Sequence, residues 1–418
     1  MSSSGDRPPL REALAALREA EPRRFRLAAL VGVALLAVPP VMAVGGLTGF
    51  HRFGGADFKA YYLAGLRVAS GVSPYEWTAF ADTVGGVAAL KFLYPPAYAL
   101  AFVPLSGLPV PVAQPLWVAL ELVVLWAGVL ALCRSLGLAR SRVETLLLLW
   151  AVTGFQAVVF VTRIGNAVGL LVGLLALAGA AMLDERPRPY LAGVLTAVAV
   201  LPKPYLAPAA APLLRDHRRL LGGALATVTV LGLGLLLFGV ETNAEYLAVL
   251  ADGKGWGFER ARFDLPYHYR PFYRFPVVGP AVQVGLLAVA TGTALLVRRT
   301  ASDAELFAFG CVAVPLVAPT ATDLTLVVAL PGLLVALVTE WRRGGRASLV
   351  LASLLAVHLG VYSVRLFLRY GPAHLPVADW RSLGVALVWV HPATAGLLAV
   401  SGLLGWRLYS GWRAAQSV

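Results

Sequence analysis

Apolar runs too long for a globular core recur along this whole sequence, and they constrain its fold more than any other feature. The run from Leu27 to Phe50 holds no charged residue and exceeds the roughly 20 residues a helix needs to cross a hydrocarbon core of about 30 Å. In that medium every backbone N–H and C=O must be satisfied within its own segment, so helices are expected throughout. Full spans are expected near residues 27–50, 111–133, 143–162, 164–183, 220–240, 276–297, 304–319, 323–340, 347–364 and 383–406. Two further apolar stretches are short or broken: 92–107, opening on Tyr94-Pro95-Pro96, and 190–214, interrupted at Leu201-Pro202-Lys203-Pro204. Prolines and a lysine at mid-depth would strand backbone groups and a charge in lipid. Two short helices meeting at Lys203 therefore fit better than one continuous helix. The expected fold is an all-α integral membrane bundle of about 10–12 transmembrane helices. Residues 27–408 read as a single polytopic domain between a cytoplasmic segment, 1–26, and a tail, 409–418.

Charge distribution gives the expected orientation. Only 14% of the 418 residues are charged, against about a quarter in a soluble domain. The net charge of +13 is assigned to lipid head groups and topology rather than to nucleic acid. The first 26 residues hold six arginines and four acids and lack a signal-peptide cleavage site. If both termini are cytoplasmic and each broken stretch returns to its starting side, the short loops with Arg134, Arg140, Arg142, Arg186, Arg188, Arg215, Arg218 and Arg219 fall inside. So do those with Arg298, Arg299, Arg342, Arg343 and Arg346. Three long connections are left outside, 51–91, 241–275 and 365–382, the first of them with interfacial helices. These external loops are where a function would be built. Cys133 and Cys311 stand in separate apolar runs and read as small buried hydrophobes. No metal cluster, cofactor loop or nucleophile elbow is seen in the sequence, so neither a metal nor a cofactor is expected.

Several polar residues stand where chemistry could occur. Asp57 follows the first span, where it would cap an interfacial helix or accept a proton from a nucleophile. Local sequence does not choose between these. Lys203 at the broken stretch either snorkels to the interface or binds an anion. Asp323 either caps the helix that follows or contacts acceptor hydroxyls. The loop from Trp256 to Arg274 interleaves aromatics with arginines and includes His268 and Arg270. It suits an anchoring belt equally with a cover over a phosphorylated sugar. Glu121, His358 and His391 lie in apolar spans and read as interhelical partners.

Asp57-Phe58, Tyr61-Tyr62, Ala64-Gly65, Gly71, Pro74-Tyr75, Phe92, Tyr94-Pro95-Pro96, Pro104-Leu105 and Leu108-Pro109 together resemble the N-terminal signature of the polyprenyl-phosphate-mannose-dependent mannosyltransferases of glycosyltransferase family 87. Arg163-Ile164-Gly165-Asn166 is similar to a shortened form of the family's Gly-Gln-x-Asn element. The stretch from Tyr190 through Lys203-Pro204 to Arg219 resembles its broken helix with a buried lysine. Near Asp323 the sequence departs from the family, since Leu324 and Thr325 stand where histidine is expected.

The resemblance implies a GT-C type bundle in the plasma membrane with its active site on the external face. Asp57 would be the catalytic base. Lys203, Arg163, Asn166, Tyr62, Tyr94, His268, Arg270 and Asp323 would hold the donor phosphate or substrates. The implied reaction is inverting transfer of mannose from an outward-facing polyprenyl-phosphate mannose to a glycolipid or lipoglycan hydroxyl, of the phosphatidylinositol mannoside or lipomannan type. The implied partners are that donor, the glycolipid acceptor and membrane lipids. Two alternatives stay open: a GT-C transferase of another lipid-linked sugar, and a transporter or flippase for such a sugar.

Overall fold

Proline, serine and glycine cut the apolar sequence into helices, and a computed structural model describes residues 10–47, 55–84, 91–138, 140–252, 278–318, 323–374 and 391–417. In chain order the helices are α1 (Leu10–Ala20), α2 (Pro22–Leu47), α3 (Ala56–Ala69), α4 (Val103–Ser106), α5 (Val110–Ser135), α6 (Arg142–Gly154), α7 (Gln156–Ile164) and α8 (Val168–Leu183). There follow α9 (Pro189–Val200), α10 (His217–Asp252), α11 (Val278–Val297), α12 (Asp303–Val317), α13 (Asp323–Leu326), α14 (Ala329–Arg342), α15 (Ala347–His374) and α16 (Pro392–Gln416). Among the described residues there is no strand. Capping boxes start α6 and α12: Ser141 and Ser302 each accept the N–H of a glutamate three residues on, whose carboxylate bonds back to the serine N–H. Pro208 and Pro212 remove N–H donors after Lys203, and Pro204–Arg215 winds as a 3-10 coil.

The chain has an all-α integral membrane architecture. Among the described residues four helices are long and apolar enough to cross a bilayer: Pro22–Val41, Val110–Ser135, His217–Ala251 and Leu324–Arg342. The bent pair α6 and α7 makes up to five. The sequence suggested about ten full spans, and among the described residues part of the difference lies in shorter apolar helices. One is α8, whose 16 residues rise about 24 Å. Helix α8 is mostly buried in the bundle, whereas the short apolar helix Ala281–Val297 leaves Val284 and Val289 exposed. The expected continuous span 143–162 is broken at Phe155, whose backbone is extended (φ −62°, ψ 124°), and its halves bend by 65°. Close approach of small residues packs the interior. A Cβ on Gly128 of α5 would strike the Gly173 carbonyl of α8, and one on Gly173 would lie 2.7 Å from the Leu125 nitrogen. Outward, Leu236 is 83% exposed and Val240 76%, which suits a surface facing lipid tails.

Helix directions separate two ends. Helix α8 leads away from Asn166 to Asp184, α9 returns toward Lys203, and Pro204–Arg215 turns back again. The broken stretch thus re-enters and leaves on one side, as the prolines suggest. At that end Arg215 and Arg219 bind Asp303 at 2.8 and 2.6 Å. There too Arg343 pairs with Glu305 at 2.8 Å, Arg407 forks onto buried Glu340 with two bonds of 2.9 Å, and Arg24 donates to the Gly345 carbonyl at 2.9 Å. The arginine-rich loops therefore gather at one end, and a second apolar cluster forms at the other. That cluster joins α3, Tyr75, Phe92, Tyr94, Phe102, Trp117 and Tyr246 from the far part of α10, beyond a break at Gly239.

Candidate active site

Helix α3 carries Asp57 in its first turn, directly after Gly55, a left-handed residue (φ 55°). The Gly55 N–H donates to the Arg163 carbonyl at 3.2 Å, which docks the start of α3 on the end of α7. Glycine ends α7 as well: Gly165 has φ 67°, a conformation side chains other than glycine's disfavour. A Cβ there would lie 2.6 Å from the Phe58 Cβ, and Trp117 of α5 donates its indole N–H to the Gly165 carbonyl at 3.1 Å. The turn between α7 and α8 is thus clamped against α3, and Asn166 follows directly.

Asn166 connects the two charged candidates. Its amide N–H donates to Asp57 Oδ2 at 2.5 Å. Its Oδ1 accepts from the Lys203 ammonium at 3.2 Å and from the Val168 N–H at 3.0 Å, at the start of α8. Lys203 reaches this point because its helix pair breaks there, with its ammonium 5.5 Å from the Tyr94 ring centroid and 5.8 Å from that of Tyr205, within cation–π range. Burial pushes the Asp57 carboxyl above the ordinary carboxylate range, and the Asn166 hydrogen bond and the Lys203 charge oppose this. Asn166 is buried, while Asp57 and Lys203 are half-buried. A carboxylate with one oxygen held and the other without a hydrogen bond among the described residues can accept a proton, and an ammonium beside it can hold an anion.

The sequence-derived candidates divide. Asp57, Asn166, Lys203 and Tyr94 come together. Arg163 joins through its carbonyl, and its guanidinium makes no ion pair among the described residues. The Tyr62 hydroxyl instead donates to the Leu108 carbonyl at 2.9 Å, and its ring packs against Phe58. Tyr61, one helical turn after Asp57, faces the site: its hydroxyl lies 2.7 Å from that of Tyr94 and accepts the Ala167 N–H at 3.4 Å. The turn from Asp57 to Tyr61 is the signal that would have found it. Glu121 is 1% exposed, and neither of its oxygens has a hydrogen-bond partner. It lies one turn along α5 from Trp117, against Gly169, and interacts electrostatically with Lys203 and Asp57.

His358 does bridge helices, accepting the Gln156 N–H at 3.1 Å with its other ring nitrogen 3.2 Å from the Ala34 carbonyl. His391 accepts the Ala393 N–H and caps α16. Helix α13 begins at Asp323. Residues 253–277, with His268 and Arg270, and 375–390 lie outside the described residues, so much of two expected external loops is not described. Among the described residues no group of three or more metal-ligating side chains gathers.

At one end of this helical membrane protein a carboxylate and an ammonium thus meet on one buried amide. The sequence model of glycosyltransferase family 87 matches residues 92–319, more than half of the chain, and the protein belongs to that family. It is therefore a glycosyltransferase, with a sugar donor and an acceptor as substrates. The matched stretch contains Tyr94, Arg163, Asn166 and Lys203, and Asp57 precedes it. No curated protein and no solved structure matches the chain.

Proposed function

We propose that this glycosyltransferase moves mannose from a polyprenyl-phosphate mannose to a hydroxyl of a glycolipid or lipoglycan, of the phosphatidylinositol mannoside or lipomannan type, with inversion at the anomeric carbon. The observation that carries this reading is the array Asp57–Asn166–Lys203, which sets a carboxylate and an ammonium on opposite ends of one amide. The acceptor oxygen forms the new bond to the anomeric carbon, and its proton passes to Oδ1 of Asp57. On the opposite face the bond from that carbon to phosphate oxygen breaks, and its electron pair leaves on the polyprenyl phosphate. Lys203 offsets the charge that grows there. Arg163, Arg270 and His268 are the further candidates for the phosphate, Tyr94 for the sugar face, and Asp323 for acceptor hydroxyls. The arginine-rich end is placed in the cytoplasm and the array outside, in the plasma membrane, by the preference of arginine loops for the inner side.

The test is purified protein in nanodiscs with radiolabelled polyprenyl-phosphate mannose and a panel of glycolipid acceptors. Label appearing in an α-linked glycolipid product is expected. Turnover only with another lipid-linked sugar overturns the donor assignment. Passage of label across a sealed vesicle without product would point to a transporter.

A further inference from the structure

A carboxylate and an ammonium this close normally meet directly, because each is the other's best partner in a half-buried site. Here they do not: no ion pair joins Asp57 and Lys203, and both end on Asn166. The amide's orientation is fixed by its partners. Oδ1 faces two N–H donors, Lys203 and Val168, and Nδ2 faces the carboxylate. Turned over, its NH2 would face both donors and its oxygen would face Asp57. The clamp of Gly165 on Phe58 and Trp117 holds the backbone that presents it.

We propose that Asn166 is a positioning residue that keeps Lys203 off Asp57, so that the proton acceptor and the phosphate-binding cation operate as two separate charges. The proposal rests on the reading of Asp57 as the base. With the amide in place, one Asp57 oxygen is occupied and the other is presented to the acceptor, while the ammonium stays available to the donor. Without it, Lys203 would close onto Asp57, cancelling the basicity of one and the anion-binding charge of the other. Among the described residues the titratable groups that interact with Asp57 are Lys203 from the break after α9, Glu121 from α5, Tyr94 from the segment before Pro96, and Tyr61 from α3. Among the described residues Lys203 is the cation in this group, and its approach is the response the substitutions read.

Two substitutions drive Asp57 in opposite directions. Asn166→Ala deletes the spacer and lets the ammonium reach the carboxylate, which moves the titration of Asp57 to lower pH. Asn166→Asp keeps the shape and the bonds to Lys203 and Val168 but turns an oxygen toward Asp57, which moves it to higher pH. Each displacement is expected to be at least about one pH unit, with turnover reduced about tenfold or more. Asn166→Ser retains an oxygen for the Val168 N–H and replaces the alanine variant if that one unfolds on heating below the wild type. The titration is read twice: from the acid limb of kcat/KM with polyprenyl-phosphate mannose, and from the pH-difference infrared carboxyl band missing in Asp57→Asn. Folded variants of both kinds that titrate as wild type would overturn the spacer role. An inactive Asp57→Asn with unmoved titrations sinks only that role. An active Asp57→Asn with displaced titrations sinks the base assignment and leaves the spacer standing.

Discussion

Replacing Lys203 with methionine deletes a charge and keeps a flexible apolar stem of similar length, so the helix pair around it should still pack. The ammonium lies 3.2 Å from Asn166 Oδ1, and a phosphate oxygen bound beside it would sit about 4 Å from the charge. At an effective dielectric of about 20, two unit charges at that separation interact by about 4 kcal/mol. The site is half-buried, so water returns part of this on removal, and a net loss of about 1.4–4 kcal/mol is expected, or about 10- to 1000-fold. Steady-state kinetics across donor concentration should show that loss in kcat/KM for the donor, with thermal stability unchanged. A Lys203→Met enzyme with wild-type kcat/KM would refute the reasoning and leave the lysine as an interfacial anchor.

Three further outcomes follow from particular contacts. Asp57 is raised by burial and must be ionised to act, so activity should fall as pH drops through a value above about 4, the ordinary carboxylate range; an acid limb at or below that value would contradict the assignment. Arg67 is fully buried and donates to the carbonyls of Ala79, Pro74 and Trp77 at 3.1, 3.2 and 3.0 Å. Arg67→Met leaves all three unpaired and should cost about 3 kcal/mol or more in thermal unfolding, and an unchanged melting temperature would remove it as the organiser of residues 70–80. For orientation, Ser73→Cys should react with a membrane-impermeant thiol reagent in intact cells, whereas Gly137→Cys and Gly345→Cys should not; the reverse pattern inverts the proposed topology.

Much of this was legible in the sequence where the physical rule is local. Proline on both sides of Lys203 announces a helix break that only a polar environment tolerates, and the re-entrant pair is there. Arginine placement identified the loops that the structure gathers at one end. Asp57 was legible as an acid after the first span, whereas Asn166 entered only through the family resemblance. What depended on three-dimensional phase was not. Tyr61 and Tyr62 are equivalent in composition, and only the helix starting at Ala56 decides that the first faces Asp57 and the second faces Leu108. The break at Phe155 has no proline to mark it, and Gly154 just before it lies against Leu35 and Pro39 of α2. Glu121 looked like an interhelical partner, but its place behind Lys203 depends on how α5 meets α8.

The measurement that bears most directly on the account is product formation by Asp57→Asn. Asparagine keeps the size of the side chain and still accepts the Asn166 N–H, and because Gly55 rather than residue 57 caps α3, no cap is lost. It has no basicity with which to take a proton. Burial raises the folded-state value of this carboxyl, so its ionised form costs stability once pH rises through that value, and the neutral asparagine should be at least as stable near pH 7. The account predicts a well-folded Asp57→Asn protein, with unfolding temperature equal to or above wild type, that loses at least about a hundredfold in transfer to acceptor. Near-normal turnover by that folded protein would contradict it.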